Sequence, residues 1–74
     1  MQPTHASLIT IHVNGHARSV AANAMLASVL DTMSLRGRRF AVECNGEIVP
    51  KSALDTTPIH ANDRLEIVVA VGGG

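Results

Sequence analysis

Apolar and polar side chains alternate over residues 8–13, at the start of the patterned part of the chain. This two-residue period predicts a strand with one buried face. Asn14-Gly15 comes next and favours a two-residue hairpin turn in which both residues have positive φ. Residues 18–21 are predicted to form the returning strand. The patterned part of the chain therefore begins with a β-hairpin.

A helical period appears after this hairpin. Four apolar side chains follow at i, i+3, i+4 and i+7 and form one stripe: Leu26, Val29, Leu30 and Met33. Asn23 is placed to cap the start of this helix. We expect the helix to end near Leu35, because Gly37 suits a left-handed position after a helix. This is the main helix that the pattern predicts.

The pattern of apolar and polar residues in the second half of the chain again predicts strands. Residues 40–44 alternate, with Phe40 and Cys44 on one face, and Asn45-Gly46 predicts a second hairpin turn. Residues 47–49 then form a short strand, which Pro50 ends because it lacks a backbone donor. We expect a third strand and a fourth strand joined by a tight turn.

The last strand follows a helical turn at residues 51–54 and a loop at residues 55–62. Residues 65–70 alternate in hydrophobicity and predict this strand. The order of the elements predicts an α+β fold, with a mixed sheet of about four to five strands and one main helix packed on one face.

A chain of 74 residues has room for one domain. The predicted organisation is a flexible extension at residues 1–7, a folded domain at residues 8–71 and a flexible glycine tail at residues 72–74. Phe40 is the only aromatic residue, so the core is expected to be aliphatic.

Charge and cysteine usage narrow the classes of partner. Six basic and six acidic side chains give a net charge of zero, which argues against nucleic acid and membrane surfaces as partners. The lone Cys44 cannot form an internal disulfide, and residues 1–7 lack the features of a signal peptide. We expect a cytoplasmic protein.

The candidate chemistry lies where the last strand runs into Gly72-Gly73-Gly74 and a carboxyl group. Glycines lack Cβ atoms, so such a tail can enter a narrow channel of another protein. Adenylation with ATP gives a carboxyl group a leaving group, which a sulfur donor can displace to form a thiocarboxylate. Taken alone, a glycine end favours the interpretation as a frayed terminus.

Two segments give the chain a family resemblance: residues 45–50, which read Asn-Gly-Glu-Ile-Val-Pro, and residues 63–74, which end in the glycines. These two segments follow the first hairpin and the helix in the order typical of the ThiS family of thiamine biosynthesis. Residues 8–74 therefore resemble that family. The family often has Gly-Asp before the last strand, where this chain has Asn62-Asp63. Asparagine tolerates left-handed φ, so we expect that turn to survive.

The resemblance implies a ubiquitin-like β-grasp fold and a sulfur carrier rather than an enzyme. It implies that a ThiF-type, E1-like adenylyltransferase activates the carboxyl of Gly74 and that a sulfur donor protein supplies the sulfur. A ThiG-type thiazole synthase would then receive the sulfur for the thiazole moiety of thiamine. Gly72 and Gly73 would insert into the partner's active site, and the carrier itself would bind no cofactor.

Residues around the tail are candidates for docking. Val68 and Ala70 lie opposite the predicted core face of the last strand, and with Val71 they would form an apolar contact surface. Arg64 and Glu66 would contact the partner at its rim. We expect a monomer in isolation, because this surface is small.

Several alternatives remain open at this point. A molybdopterin-synthase small-subunit-like sulfur carrier, a ubiquitin-like protein modifier and a plain interaction module share the predicted fold. Tails of modifiers commonly carry arginine before the glycines, whereas Ala70-Val71 is uncharged. Cys44 is in register with core positions, so we interpret it as structural. His12 and His16 flank a turn, and no metal site is predicted.

Overall fold

One mixed sheet of five strands contains all the strands in residues 7–35 and 37–70, which are the residues described by a computed structural model of the chain. The strands are β1 (Leu8–Val13), β2 (His16–Ala21), β3 (Phe40–Cys44), β4 (Glu47–Val49) and β5 (Arg64–Val69). Their spatial order is β2-β1-β5-β3-β4, with β5 parallel to β1 and the other neighbours antiparallel. The predicted α+β fold is confirmed.

Both Asn-Gly turns form as predicted. Asn14 and Gly15 have φ values of 50° and 85°, and Asn45 and Gly46 have φ values of 54° and 88°. These are the left-handed conformations that a tight hairpin turn requires. β2 begins immediately after the first turn, two residues earlier than predicted, because a two-residue turn leaves no unpaired residue at its base.

The helix α1 (Leu26–Asp31) supplies its apolar stripe to a core that also draws on three strands. The buried hydrophobic side chains are Ile11, Val13, Leu26, Val29, Leu30, Leu35, Val42, Ile59 and Leu65. They are aliphatic, as the composition predicts. The core lies between the helix and one face of the sheet, so the other sheet face is left open.

The predicted cap of the helix is wrong. The helix begins at Leu26, and Asn23 makes no capping bond. The backbone N–H of Leu26 instead donates to the carbonyl of Thr57 at 2.8 Å, and the N–H of Ile59 donates to the carbonyl of Ala24 at 3.1 Å. A distant backbone segment therefore satisfies the first helical donor that a side-chain cap would otherwise serve.

The helix also ends earlier than predicted, at Asp31 rather than near Leu35. The N–H groups of Thr32 and Met33 donate to carbonyls three residues earlier, at 3.1 Å and 3.0 Å, so the last turn tightens and the α-helix stops. Gly37 does adopt the left-handed conformation, with φ of 79°, but it lies in the following turn.

A 3₁₀ helix (Lys51–Thr56) follows β4 and confirms the helical turn predicted after Pro50. It contains the predicted residues 51–54 and continues for two further residues. Across residues 7–35 and 37–70, neither helix has the length that a bilayer-spanning helix needs.

Candidate functional site

Strand β5 occupies the centre of the sheet and leads towards the predicted tail. Four predicted partner-binding residues share its open face and are exposed: Arg64, Glu66, Val68 and Ala70. The intervening Leu65, Ile67 and Val69 are buried or half-buried on the core side. The other predicted site residues, Val71 and residues 72–74, lie outside the described residues.

Neighbouring strands extend the exposed apolar surface around Val68. Ala41 pairs with Val68 across β3 and β5, and Ile48 of β4 shares the same sheet face. Val68 is 67% exposed and Ile48 is 69% exposed. We call Ala41, Ile48, Val68 and Ala70 the open-face patch. Sequence reasoning missed Ala41 and Ile48 as members, although their alternation with core residues already placed them on the open side.

A pair of carboxylates borders this patch on the side away from the tail. Glu43 and Glu66 are directly opposite each other in the register of β3 and β5. Like charges at such positions repel, and that repulsion opposes the pairing of the two strands. On the open face, Ala41 and Val68 therefore lie nearer the end of β5, and Ile48 is level with the two carboxylates.

The side chain of Asn14, which follows β1, hydrogen-bonds to the backbone in the middle of β5. Its Oδ1 accepts a hydrogen bond from the backbone N–H of Ile67 at 2.7 Å, and its Nδ2 donates to the carbonyl of Ile67 at 3.2 Å. Asn14 is in the hairpin turn, beyond the end of β1. Its amide therefore continues the bonding that the β1 backbone would otherwise provide.

Asn45 performs a similar role from the β3 side, at the start of β5. Its Oδ1 accepts from the N–H of Arg64 at 2.9 Å, and its Nδ2 donates to the carboxylate of Asp63 at 3.0 Å. Asp63 is 7% exposed and also accepts from the N–H of His60 at 2.8 Å. The turn before β5 is therefore built around a buried carboxylate, and Asn62 adopts the predicted left-handed conformation, with φ of 69°.

Cys44 is half-buried and packs against the core. Burial raises the pKa of its thiol, and the charge of Asp63, a hydrogen bond with Asp63 and the charge of Glu47 raise it further. The thiolate is the nucleophilic form of cysteine, so these surroundings suppress its reactivity. The structure agrees with a packing role for this residue.

The two histidines of the first hairpin are on opposite faces of the sheet. His16 is paired with Val13, whose side chain faces the core, whereas His12 is the residue before Val13 in β1 and faces the other way. They cannot bind one metal ion together. Over the described part of the chain, no three His, Cys, Asp or Glu side chains form a cluster suited to a metal ion.

Basic side chains surround the end of β5. The N–H of Ala70 donates to the carbonyl of Arg39 at 2.9 Å, and Val69 is paired with Phe40. The ammonium group of Lys51 lies 4.5 Å from the centre of the Phe40 ring, within the range of a cation–π contact. Exposed Arg38, Arg39 and Lys51 lie around this end, and we call these three residues the basic rim.

Comparison with known proteins gives consistent matches. The model of the ThiS family matches residues 11–74. A thiazole synthase of Paramagnetospirillum magneticum is 39% identical over 62 residues, which are 84% of this chain, and the match spans only 19% of that relative's length. The ycf40 protein of Pyropia yezoensis is 31% identical, over 92% of this chain and 96% of its own. The crystal structure of thiamine biosynthesis protein ThiS from Geobacter metallireducens has a TM-score of 0.74 and 28% identity, covering 89% of this chain and all of its own.

Proposed function

The chain belongs to the ThiS family and is a sulfur carrier of thiamine biosynthesis, and we propose that the carboxyl group of Gly74 is the group that carries the sulfur. The observation that supports this assignment most directly is the family match, which extends through the glycines to residue 74. The exposed face of β5 supports it as well, because a partner that takes the tail must also contact the strand before it.

The proposed chemistry begins with activation of the carboxylate. An oxygen of the Gly74 carboxylate attacks the α-phosphorus of ATP and pyrophosphate leaves, which gives an acyl-adenylate. The outer sulfur of a persulfide on a donor protein then attacks the acyl carbon and AMP leaves, which gives an acyl disulfide. A thiol of the donor or the enzyme attacks the donor's sulfur in that disulfide, forms a new disulfide with it and releases the carrier as a thiocarboxylate, a soft nucleophile that can deliver sulfur without releasing free sulfide.

The proposed partners follow from these steps. A ThiF-type, E1-like adenylyltransferase would supply the ATP site, so the carrier acts as a co-substrate and needs no cofactor of its own. A ThiG-type thiazole synthase would receive the sulfur. A thiazole synthase of Paramagnetospirillum magneticum contains a segment similar to this chain, which supports that assignment. We place the exchange in the cytoplasm, and fractionation of the host cell tests this location.

The carrier contributes presentation rather than catalysis. Asn14 and Asn45 hold β5 to its neighbours, so the strand that precedes the tail has a fixed direction. Gly72 and Gly73 would pass through the partner's channel, because they present no side chain to its walls. Val68, Ala70 and Val71 would bury apolar surface against the partner, with Arg64 and Glu66 at the edge of the contact.

Intact mass spectrometry tests the proposal. The carrier is incubated with the host's adenylyltransferase, ATP and a sulfur source, and one oxygen should be exchanged for one sulfur. Fragmentation of the protein should locate the change at Gly74, and the reaction without ATP is the control. A change of mass at any other residue, or none in the complete reaction, would contradict the assignment of Gly74.

A further inference from the structure

The basic rim is fixed to the point at which the tail leaves the sheet. The hydrogen bond from the N–H of Ala70 to the carbonyl of Arg39 ties the chain, two residues before the glycine tail, to the rim's own backbone. Arg38 and Lys51 line a shallow groove together with Phe40, which is paired with the last residue of β5. Any protein that surrounds the tail must therefore approach these cations.

The cations of the rim are not neutralised by the described part of the chain. Over residues 7–35 and 37–70, the ion pair between His60 and Asp63, at 4.0 Å, is the only one, and neither residue belongs to the rim. Asp31 lines the same groove as Arg38 and Lys51, yet it makes no ion pair with them. The positive charge is free to meet an external anion.

Three of the six carboxylates lie well behind the rim, although the net charge of the chain is zero. Glu43 and Glu66 are paired three residues behind Phe40 and Val69, and Asp63 lies further back, at the start of β5. The end beside the tail therefore presents three exposed cations, and Asp31 is the carboxylate that lines their groove. Such a separation of charge orients an approaching partner more than it increases final affinity.

The reach of the tail decides what the rim can contact. Four residues follow Ala70, and a fully extended segment of four residues spans about 14 Å. An arginine side chain is much shorter than that. When Gly74 is at the α-phosphate of ATP, the rim must consequently lie outside the nucleotide site, against protein surface around the channel entrance. Carboxylates suit this contact, because the guanidinium group binds them with two parallel hydrogen bonds.

We propose that Arg38, Arg39 and Lys51 dock the carrier on a carboxylate-bearing surface at the entrance of the adenylating enzyme, an inference that rests on the proposed function of the tail. The open-face patch contributes apolar burial and the rim contributes orientation and rate of association. Since the rim is exposed and screened by salt, its contribution should weaken as ionic strength rises.

Two charge reversals test the rim against a matched control. Arg39→Glu changes the rim, and Arg18→Glu makes the same change at an exposed position of β2, on the opposite side of β5 from Arg39. The rate of association with the adenylating enzyme is measured by stopped flow without ATP, and thermal unfolding verifies that both variants are folded. We expect Arg39→Glu to slow association about tenfold or more and Arg18→Glu to leave it nearly unchanged.

Salt and nucleotide dependence complete the test. The difference between the two variants should shrink when salt rises from about 0.1 M to about 1 M, because the screening length falls from about 10 Å to about 3 Å. Equal rates of association for the two variants, or a rise in the KM for ATP with Arg39→Glu, overturns the docking role. The measurement is made without ATP, so it does not depend on the chemistry of the tail. If Arg39→Glu impairs association but the carrier never acquires sulfur, the docking role stands and only the assignment of Gly74 is overturned.

Discussion

Asn14 and Ile67 are 53 residues apart in sequence, and both backbone polar groups of Ile67 bond to the side-chain amide of Asn14. The asparagine thus serves two purposes, since its backbone makes the hairpin turn and its side chain fastens β5. The bonds are exposed, so water competes for them. Their main effect is to hold β5, the strand that leads to the tail, beside the first hairpin.

Asn14→Gly should isolate this second purpose, because glycine keeps the left-handed turn and removes the amide. We expect the free energy of unfolding to fall by about 1 to 2 kcal/mol, from two exposed hydrogen bonds and the greater freedom of the unfolded chain. Asn62→Gly is the matched control, since Asn62 also has positive φ but makes no side-chain hydrogen bond with the described residues. Equal losses in chemical denaturation would contradict the role given to the Asn14 amide.

Asp63→Ala should destabilise the protein more than either asparagine change. It removes the acceptor for the N–H of His60 and for the amide of Asn45, at a site that is 7% exposed. We expect a loss of about 2 to 3 kcal/mol in urea unfolding, because two part-buried hydrogen bonds to a charged acceptor are lost. Asp63→Asn keeps one acceptor oxygen, so it should fall between the original protein and Asp63→Ala.

Much of the fold could be predicted because local signals and tertiary structure agree. The alternation over β1 and the two Asn-Gly turns each specify one local outcome, and the structure contains it. The start of α1 was predicted wrongly because the donor of Leu26 is satisfied by Thr57, a contact that joins distant parts of the chain. The hydrogen bonds from the side chains of Asn14 and Asn45 to the backbone of β5 were missed for the same reason, because the sequence of a turn does not reveal which strand lies beside it.

The raised pKa of Cys44 predicts a pH dependence of stability. Below its ordinary value of 9.0 the thiol is protonated in both the folded and the unfolded state. Above it the unfolded chain ionises first, so stability falls as pH rises through the folded pKa. Cys44→Ser lacks this titration, and its unfolding free energy should therefore fall less than that of the original protein between about pH 8 and about pH 10. Equal losses of unfolding free energy in the two proteins would contradict the raised pKa of Cys44.

Sulfur transfer should survive the same substitution. A serine hydroxyl cannot relay sulfur, so a folded Cys44→Ser protein that still gains a thiocarboxylate shows that the thiol is structural. The measurement is the intact mass after reaction with the adenylyltransferase, ATP and the sulfur source. Loss of the product in a variant that remains folded would make Cys44 part of the chemistry instead.

Val68→Asp should weaken binding of the adenylyltransferase and leave the fold intact, since Val68 is 67% exposed on the open-face patch. Leu8→Asp is the control, because Leu8 is 68% exposed and lies at the start of β1, which pairs with β5 far from the tail. We expect a loss of several-fold or more for Val68→Asp in calorimetry and little change for Leu8→Asp. Solution scattering should show the unaltered carrier as a monomer. A tight dimer through the open-face patch would instead assign that surface to self-association.

The length of the tail should matter as much as its chemistry. Deleting Gly74 leaves the carboxyl of Gly73, which is chemically equivalent but stops about 3.5 Å short of the α-phosphate, the span of one extended residue. Appending an alanine carries the carboxyl too far and adds a methyl group at the reacting end. Because correct placement of the reactants lowers a large part of the barrier, both changes should reduce adenylation sharply.

Pyrophosphate exchange with the cognate adenylyltransferase measures this step before any sulfur is involved. The described fold ends its last strand at Val69, so both tail variants should keep the thermal unfolding midpoint of the original protein. Binding without ATP should also persist, because the open-face patch and the basic rim are unchanged. Slow exchange with intact binding therefore isolates the position of the carboxyl. If the variant with the added alanine exchanges as fast as the original, the carboxyl of Gly74 is not the working group.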